Sequence, residues 1–160
     1  MPMRVVASTP EDPLSKIRRV EEDYLKNEVF ECVSYEWDES AEVKGKGGMM
    51  TAGDTTYYDP LYVLGADDRV LAFTLAHERE HWKEDPKKEG GKAERDADIF
   101  ALNLLHQSHW TKAEAEKAVV DWGAYTLLYF EGTKQKEPDS LTEHVGANLE
   151  LCGKIWDVQA

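Results

Sequence analysis

His77, Glu78 and His81 form an H-E-x-x-H pattern, a spacing that stacks two imidazoles on one side of a helix. An α-helix turns once every 3.6 residues, so positions i and i+4 share a face and both rings can reach one metal ion. Glu78, next to the first histidine, is placed to take a proton from a water on that ion. The chemistry this points to is metal-assisted hydrolysis, with Zn2+ as the ion.

A catalytic zinc takes three protein ligands and leaves a fourth position for water or substrate, so two histidines are incomplete. The third ligand is expected at Glu94, on the next helically periodic stretch, past Gly90-Gly91, a turn that lets the two helices cross face to face. Asp98 follows one turn later on the same face. There it would accept the outer N–H of a ligand histidine and fix its tautomer. In this scheme zinc acidifies a water, and Glu78 takes the proton and delivers it to the leaving amine of a cleaved amide. The developing oxyanion needs a further donor, for which His144, Tyr125, Tyr129, His106 and His109 are the candidates. His144 is preferred because it opens the last predicted helix after polar residues. His106 and His109 read as surface or helix-end histidines.

Several elements must position these groups. Leu14, Ile17, Val20, Tyr24 and Leu25 recur at helical spacing after Thr9-Pro10 and predict an amphipathic helix over 11–26. Residues 29–37 are β-branched and aromatic and predict a strand with Val33, Tyr35 and Trp37 on one face. A charged, glycine-bearing loop is expected over 38–48. Strands at 48–52 and 55–58 flank Gly53-Asp54, a two-residue hairpin turn, and Pro60 limits further pairing there. From Val70 the period becomes helical and leads into the metal motif, with Asp67 and Asp68 as N-cap candidates. Pro86 closes that helix soon after Trp82. A connection over 87–92 precedes the Glu94 helix, read from Ala93 to Leu105. Thr111-Lys112-Ala113-Glu114 and Ser140-Leu141-Thr142-Glu143 match the capping box and start helices at 112–130 and 141–155, separated by a polar linker over 131–139.

These residues resemble the gluzincin metallopeptidases, in which HExxH is followed by a glutamate ligand on a later helix. Glu94-Arg95-Asp96-Ala97-Asp98 matches the E-x-x-A-D form of that motif in HtpX-like peptidases. The stretch to Leu105 is similar to the E-x-x-A-x-x-F-A-x-x-L-L run of the small cytoplasmic ImmA/IrrE-type proteins, with the Phe shifted by one residue. The likeness covers residues 70 to 105. It implies an α+β fold, a minimal zincin-like domain with an N-terminal helix and a small three-stranded, largely antiparallel sheet. The active-site helix and the glutamate helix complete it, and the two C-terminal helices read from the capping boxes follow. It also implies a protein or peptide substrate, paired in extended form to an edge strand. Glu80 is a departure, since the small cytoplasmic members commonly carry glycine before the second histidine.

With 160 residues the chain is expected to be one domain, 1–160, large enough to bury a core. A net charge of −13, from 32 acidic against 19 basic residues, disfavours direct contact with nucleic acid or anionic lipid. No apolar run is long enough to span a membrane, and the first residues carry no secretory core. Cys32 and Cys152 are too few for a disulfide framework and read as free thiols, which suits a cytoplasmic protein. Two other classes fit the same residues. One is a non-catalytic zinc-binding zincin-like interaction module that meets a partner through its acidic surface and edge strand; the other is an acidic decoy occupying a nucleic-acid-binding partner.

Overall fold

A computed structural model of the chain describes residues 11–25, 34–81, 90–135 and 141–157. The described residues form a mixed α+β structure of seven helices and one three-stranded sheet. No helix among them is long and apolar enough to cross a membrane.

The expected N-terminal helix is present as α1 (Pro13–Tyr24), capped by the Asp12 carboxylate on Ser15 N–H with Pro13 at the first helical position. Its Ile17 and Val20 are fully buried. Lys16 is buried too, and its Nζ donates to the carbonyls of Leu64 (3.2 Å) and Ala66 (2.5 Å). The predicted strand over 29–37 is described from residue 34 as β1 (Ser34–Trp37); Val33 lies outside the described residues. Tyr35 turns inward and donates its hydroxyl to the buried Glu21 carboxylate at 2.9 Å, whereas Trp37 is exposed.

Within the expected loop over 38–48 the chain forms a short helix, α2 (Ala41–Gly45), capped by Ser40. Gly47 and Gly48 follow with φ of +92° and +97°, a region that side chains disfavour. A Cβ on Gly48 would also stand 2.6 Å from Tyr62 Cβ. The expected hairpin follows as β2 (Met49–Ala52) and β3 (Thr55–Tyr58), antiparallel, with Gly53 at φ +64° in the two-residue turn. The sheet order is β1-β3-β2, and β1 runs parallel to β3. The sheet is therefore mixed, where a largely antiparallel one is expected from the sequence. α2 packs on β2 and α6, which sets β2 on the far side of β3, so that β3 and not β2 pairs with β1. Among the described residues β1 and β2 are the edge strands.

Pro60 ends the sheet by starting α3 (Pro60–Gly65), with Asp59 as N-cap accepting from Leu61 N–H at 3.0 Å. α4 (Asp68–His81) comes next, with Asp67 accepting from Arg69 N–H. Every residue from Val70 to Ala76 is buried, because α1, α5, α6 and β2 all pack on this helix. α5 (Gly90–Gln107) begins three residues before the expected start, so Gly90 and Gly91 belong to its first turn. Trp82 and Pro86 lie outside the described residues. α6 (Lys112–Thr133) opens on the full capping box of Thr111 and Glu114 and runs past the expected end at 130. α7 (Leu141–Asp157) closes the described chain; Ser140, which opens the second expected capping box, lies outside the described residues. Cys152 is fully buried on α7, and burial pushes its thiol pKa up to about 11.

Candidate metal centre

α4 puts His77 and His81 on one face a turn apart, and α5 lies against it with Glu94 in its first turns. The two helices bring the three predicted ligands together. Glu94 reaches both rings, with Oε2 at 2.9 Å from His77 Nε2 and Oε1 at 3.1 Å from His81 Nε2. The two Nε2 atoms are 3.2 Å apart. In a tetrahedral zinc site with donors at 2.0–2.2 Å, ligand atoms stand roughly 3.3 Å from one another. The three residues thus stand at the scale of such a site, with each imidazole facing its own oxygen of the Glu94 carboxylate. The donor set of two imidazole nitrogens and one carboxylate is one of those that catalytic zinc takes. Glu80 stands outside this group.

Asp98 is where the sequence places it, one turn beyond Glu94. Its Oδ1 accepts from His77 Nδ1 at 2.8 Å, which leaves the His77 Nε2 lone pair for a metal. Its Oδ2 accepts from His144 Nε2. His144, taken from the sequence as an oxyanion donor, thus directs Nε2 at Asp98. The other candidates are engaged elsewhere: Tyr125 donates to the Tyr62 carbonyl at 2.7 Å and Tyr129 to Asp59 at 2.5 Å. His106 packs edge-on against Trp156, and His109 is exposed just past the end of α5 with φ +66°.

Glu78 is buried beneath the sheet, and its Oε2 accepts from Thr51 Oγ1 at 2.8 Å. A hydroxyl has one proton to give, so the 2.8 Å contact between Thr51 and Thr56 is made by Thr56 donating to Thr51. The chain Thr56 to Thr51 to Glu78 fixes one carboxylate oxygen and leaves the other for chemistry. Sequence reasoning missed both threonines. The signal was present in the hairpin, since a two-residue turn at Gly53-Asp54 sets Thr51 directly opposite Thr56.

The electrostatics follow from burial and pairing. Burial works against a proton on His77, but Asp98 and Glu94 outweigh it and hold its pKa well above the usual histidine value. His81 moves the same way, burial again opposing and Glu94 prevailing. Burial would raise Glu94 and Asp98, yet the imidazoles they touch bring both below the usual carboxyl range. Asp98 raises His144 against a smaller effect of burial. Glu78 goes up, because burial outweighs His77, His81 and Thr51. A raised carboxyl pKa suits a group that must take up and release a proton. The Glu94 side chain remains 49% exposed while His77 and His81 are 15% and 10% exposed, so solvent reaches the cluster from the Glu94 side. A cleft of about 440 Å³ between α5 and α7 adjoins it, lined by Glu94, Asp98, His144, Ala147 and Leu151 among others.

No protein-family model, curated protein or solved structure matches this chain.

Proposed function

We propose that the protein is a zinc-dependent metallopeptidase of the gluzincin type, acting on peptide bonds of a protein or peptide substrate. The observation that carries this is the convergence of His77 Nε2, His81 Nε2 and the Glu94 carboxylate, the nitrogens 3.2 Å apart and each within 2.9–3.1 Å of one of the two Glu94 oxygens, with a buried glutamate next to the first histidine. These three residues would hold the zinc. When bound, the ion supplies an acidified water and polarises the scissile carbonyl. Glu78 removes the proton from the attacking water with the oxygen that Thr51 leaves free, then returns it to the leaving amine. Asp98 holds the His77 tautomer, and the β2 edge strand offers backbone groups to an extended peptide.

The test is cleavage of a broad peptide library by zinc-loaded protein, compared with Glu78→Gln. The wild type is expected to cut, and the variant to keep its zinc while losing roughly a hundredfold or more in turnover. Zinc retained by a wild type that cuts nothing would overturn the peptidase reading and leave a metal-binding interaction module.

A further inference from the structure

The sequence suggests a substrate-facing role for His144, but its hydrogen bond points into the protein. Its Nε2 meets Asp98 Oδ2, while Asp98 Oδ1 meets His77 Nδ1. One carboxylate therefore bridges two histidines drawn from α4 and α7, and its own helix, α5, lies between them in sequence. The Asp98 side chain is only 6% exposed, so each of its oxygens depends on protein donors. The His144 ring is itself fixed from behind: it packs against Trp122 at 5.6 Å, and Trp122 meets Phe73 edge-on at 5.8 Å. Phe73 lies one turn before His77 on α4.

We propose that His144 is a positioning residue of the metal centre, which fixes the Asp98 carboxylate and through it the orientation and tautomer of His77. A carboxylate held by one donor can turn about its own bond; held by two, from different helices, it cannot. Without His144 the buried Oδ2 loses its partner, and the carboxylate relieves that loss by rotating or by taking a proton. Either change loosens its hold on His77 Nδ1–H, and the Nε2 lone pair is no longer kept on the metal. Partners of this kind, one bond removed from a ligand, set metal affinity by about tenfold to a hundredfold in other metal sites. This role rests on the metal centre proposed above, though not on its catalysing any reaction.

The experiment is zinc affinity of the full-length protein at one fixed pH, by competition with a chromophoric chelator. The wild type is compared with His144→Phe, His144→Gln, Asp98→Asn and the Asp98→Asn, His144→Phe double variant. Phe keeps a ring against Trp122 but has no donor; Gln keeps an N–H near Nε2 but no ring. A packing role therefore favours Phe, and the proposed role favours Gln. His144→Phe is expected to weaken zinc binding about tenfold, His144→Gln to stay within about threefold of wild type, and the Phe effect to vanish in the Asp98→Asn background. The visible spectrum of the Co2+-loaded protein should change in the Phe variant and be restored in the Gln variant. Wild-type affinity in His144→Phe, equal losses in Phe and Gln, or an undiminished Phe effect without the Asp98 carboxylate would each overturn the proposal. Should the Phe variant fail to fold, His144→Leu, apolar and of similar size but without a donor, against His144→Gln makes the same comparison. A wild type that takes up no zinc overturns the metal centre itself, an outcome distinct from zinc uptake indifferent to His144.

Discussion

Zinc affinity is predicted to climb steeply with pH, because the ligand atoms hold protons before they hold metal. In the metal-free protein His77 and His81 have raised pKa values and Glu94 a lowered one. The imidazoles therefore keep their protons to higher pH than free histidines do, while the carboxylate is ionised. A metal needs the Nε2 lone pairs, so binding expels those protons. With the two Nε2 atoms 3.2 Å apart, the protons repel one another, and between one and two leave for each ion bound. Each proton released is worth a factor of ten per pH unit, so affinity gains about 1.4–2.7 kcal/mol per unit.

The stability of the metal-free protein runs the other way. Its raised histidines contribute stability that is fully present below the usual histidine pKa of about 6.5 and is lost as pH rises through the folded values. Glu94 and Asp98, lowered, contribute above the usual carboxyl range and lose that contribution as pH falls through their folded values. The zinc-free site is thus most stabilising between about pH 4.5 and 6.5, and the extra stability conferred by zinc grows above that window. Thermal melts with and without saturating zinc follow the stability, and calorimetric titrations in buffers of different ionisation enthalpy count the protons. Zinc affinity that is flat between about pH 6 and 8, with no proton released, would refute the assignment of these imidazoles as protonated ligands in waiting.

Two further perturbations probe the surroundings. Thr51→Val removes the hydroxyl that donates to the buried Glu78; hydrogen bonds to charged groups are worth about 1.5–3 kcal/mol. Turnover should fall by roughly tenfold to a hundredfold with zinc content unchanged, and Thr51→Ser should restore it; unaltered rates in the Val variant would show that Glu78 needs no such anchor. Gly48→Ala combines a φ of +97° with a Cβ 2.6 Å from Tyr62. Urea denaturation is expected to show a loss of about 2–4 kcal/mol, and a loss under about 1 kcal/mol would mean the β2 entry can shift at little cost.

What the sequence discloses here is set by the range of the interactions involved. His77, His81, Glu94 and Asp98 were legible because the i, i+4 repeat is a local property of a helix, and the segment from Val70 carries that repeat plainly. The hairpin was legible from Gly53-Asp54 between two β-rich runs. α2 and α3 were not, being five and six residues long, too short to show a period. Their caps are visible all the same: Asp59-Pro60 is an N-cap followed by proline at the first helical position, a helix start that also breaks the preceding strand. The parallel pairing of β1 with β3 and the His144 to Asp98 bond depend on tertiary placement across 21 and 46 residues of chain, respectively, which no local pattern encodes.

The central claim is that His77, His81 and Glu94 hold one zinc ion, and metal analysis of protein purified without chelators tests it most directly. The structure-based expectation is about one zinc per chain in the wild type, lost in His77→Ala and in His81→Ala while the fold survives. A wild type that carries no zinc and takes up none when it is supplied would contradict the account.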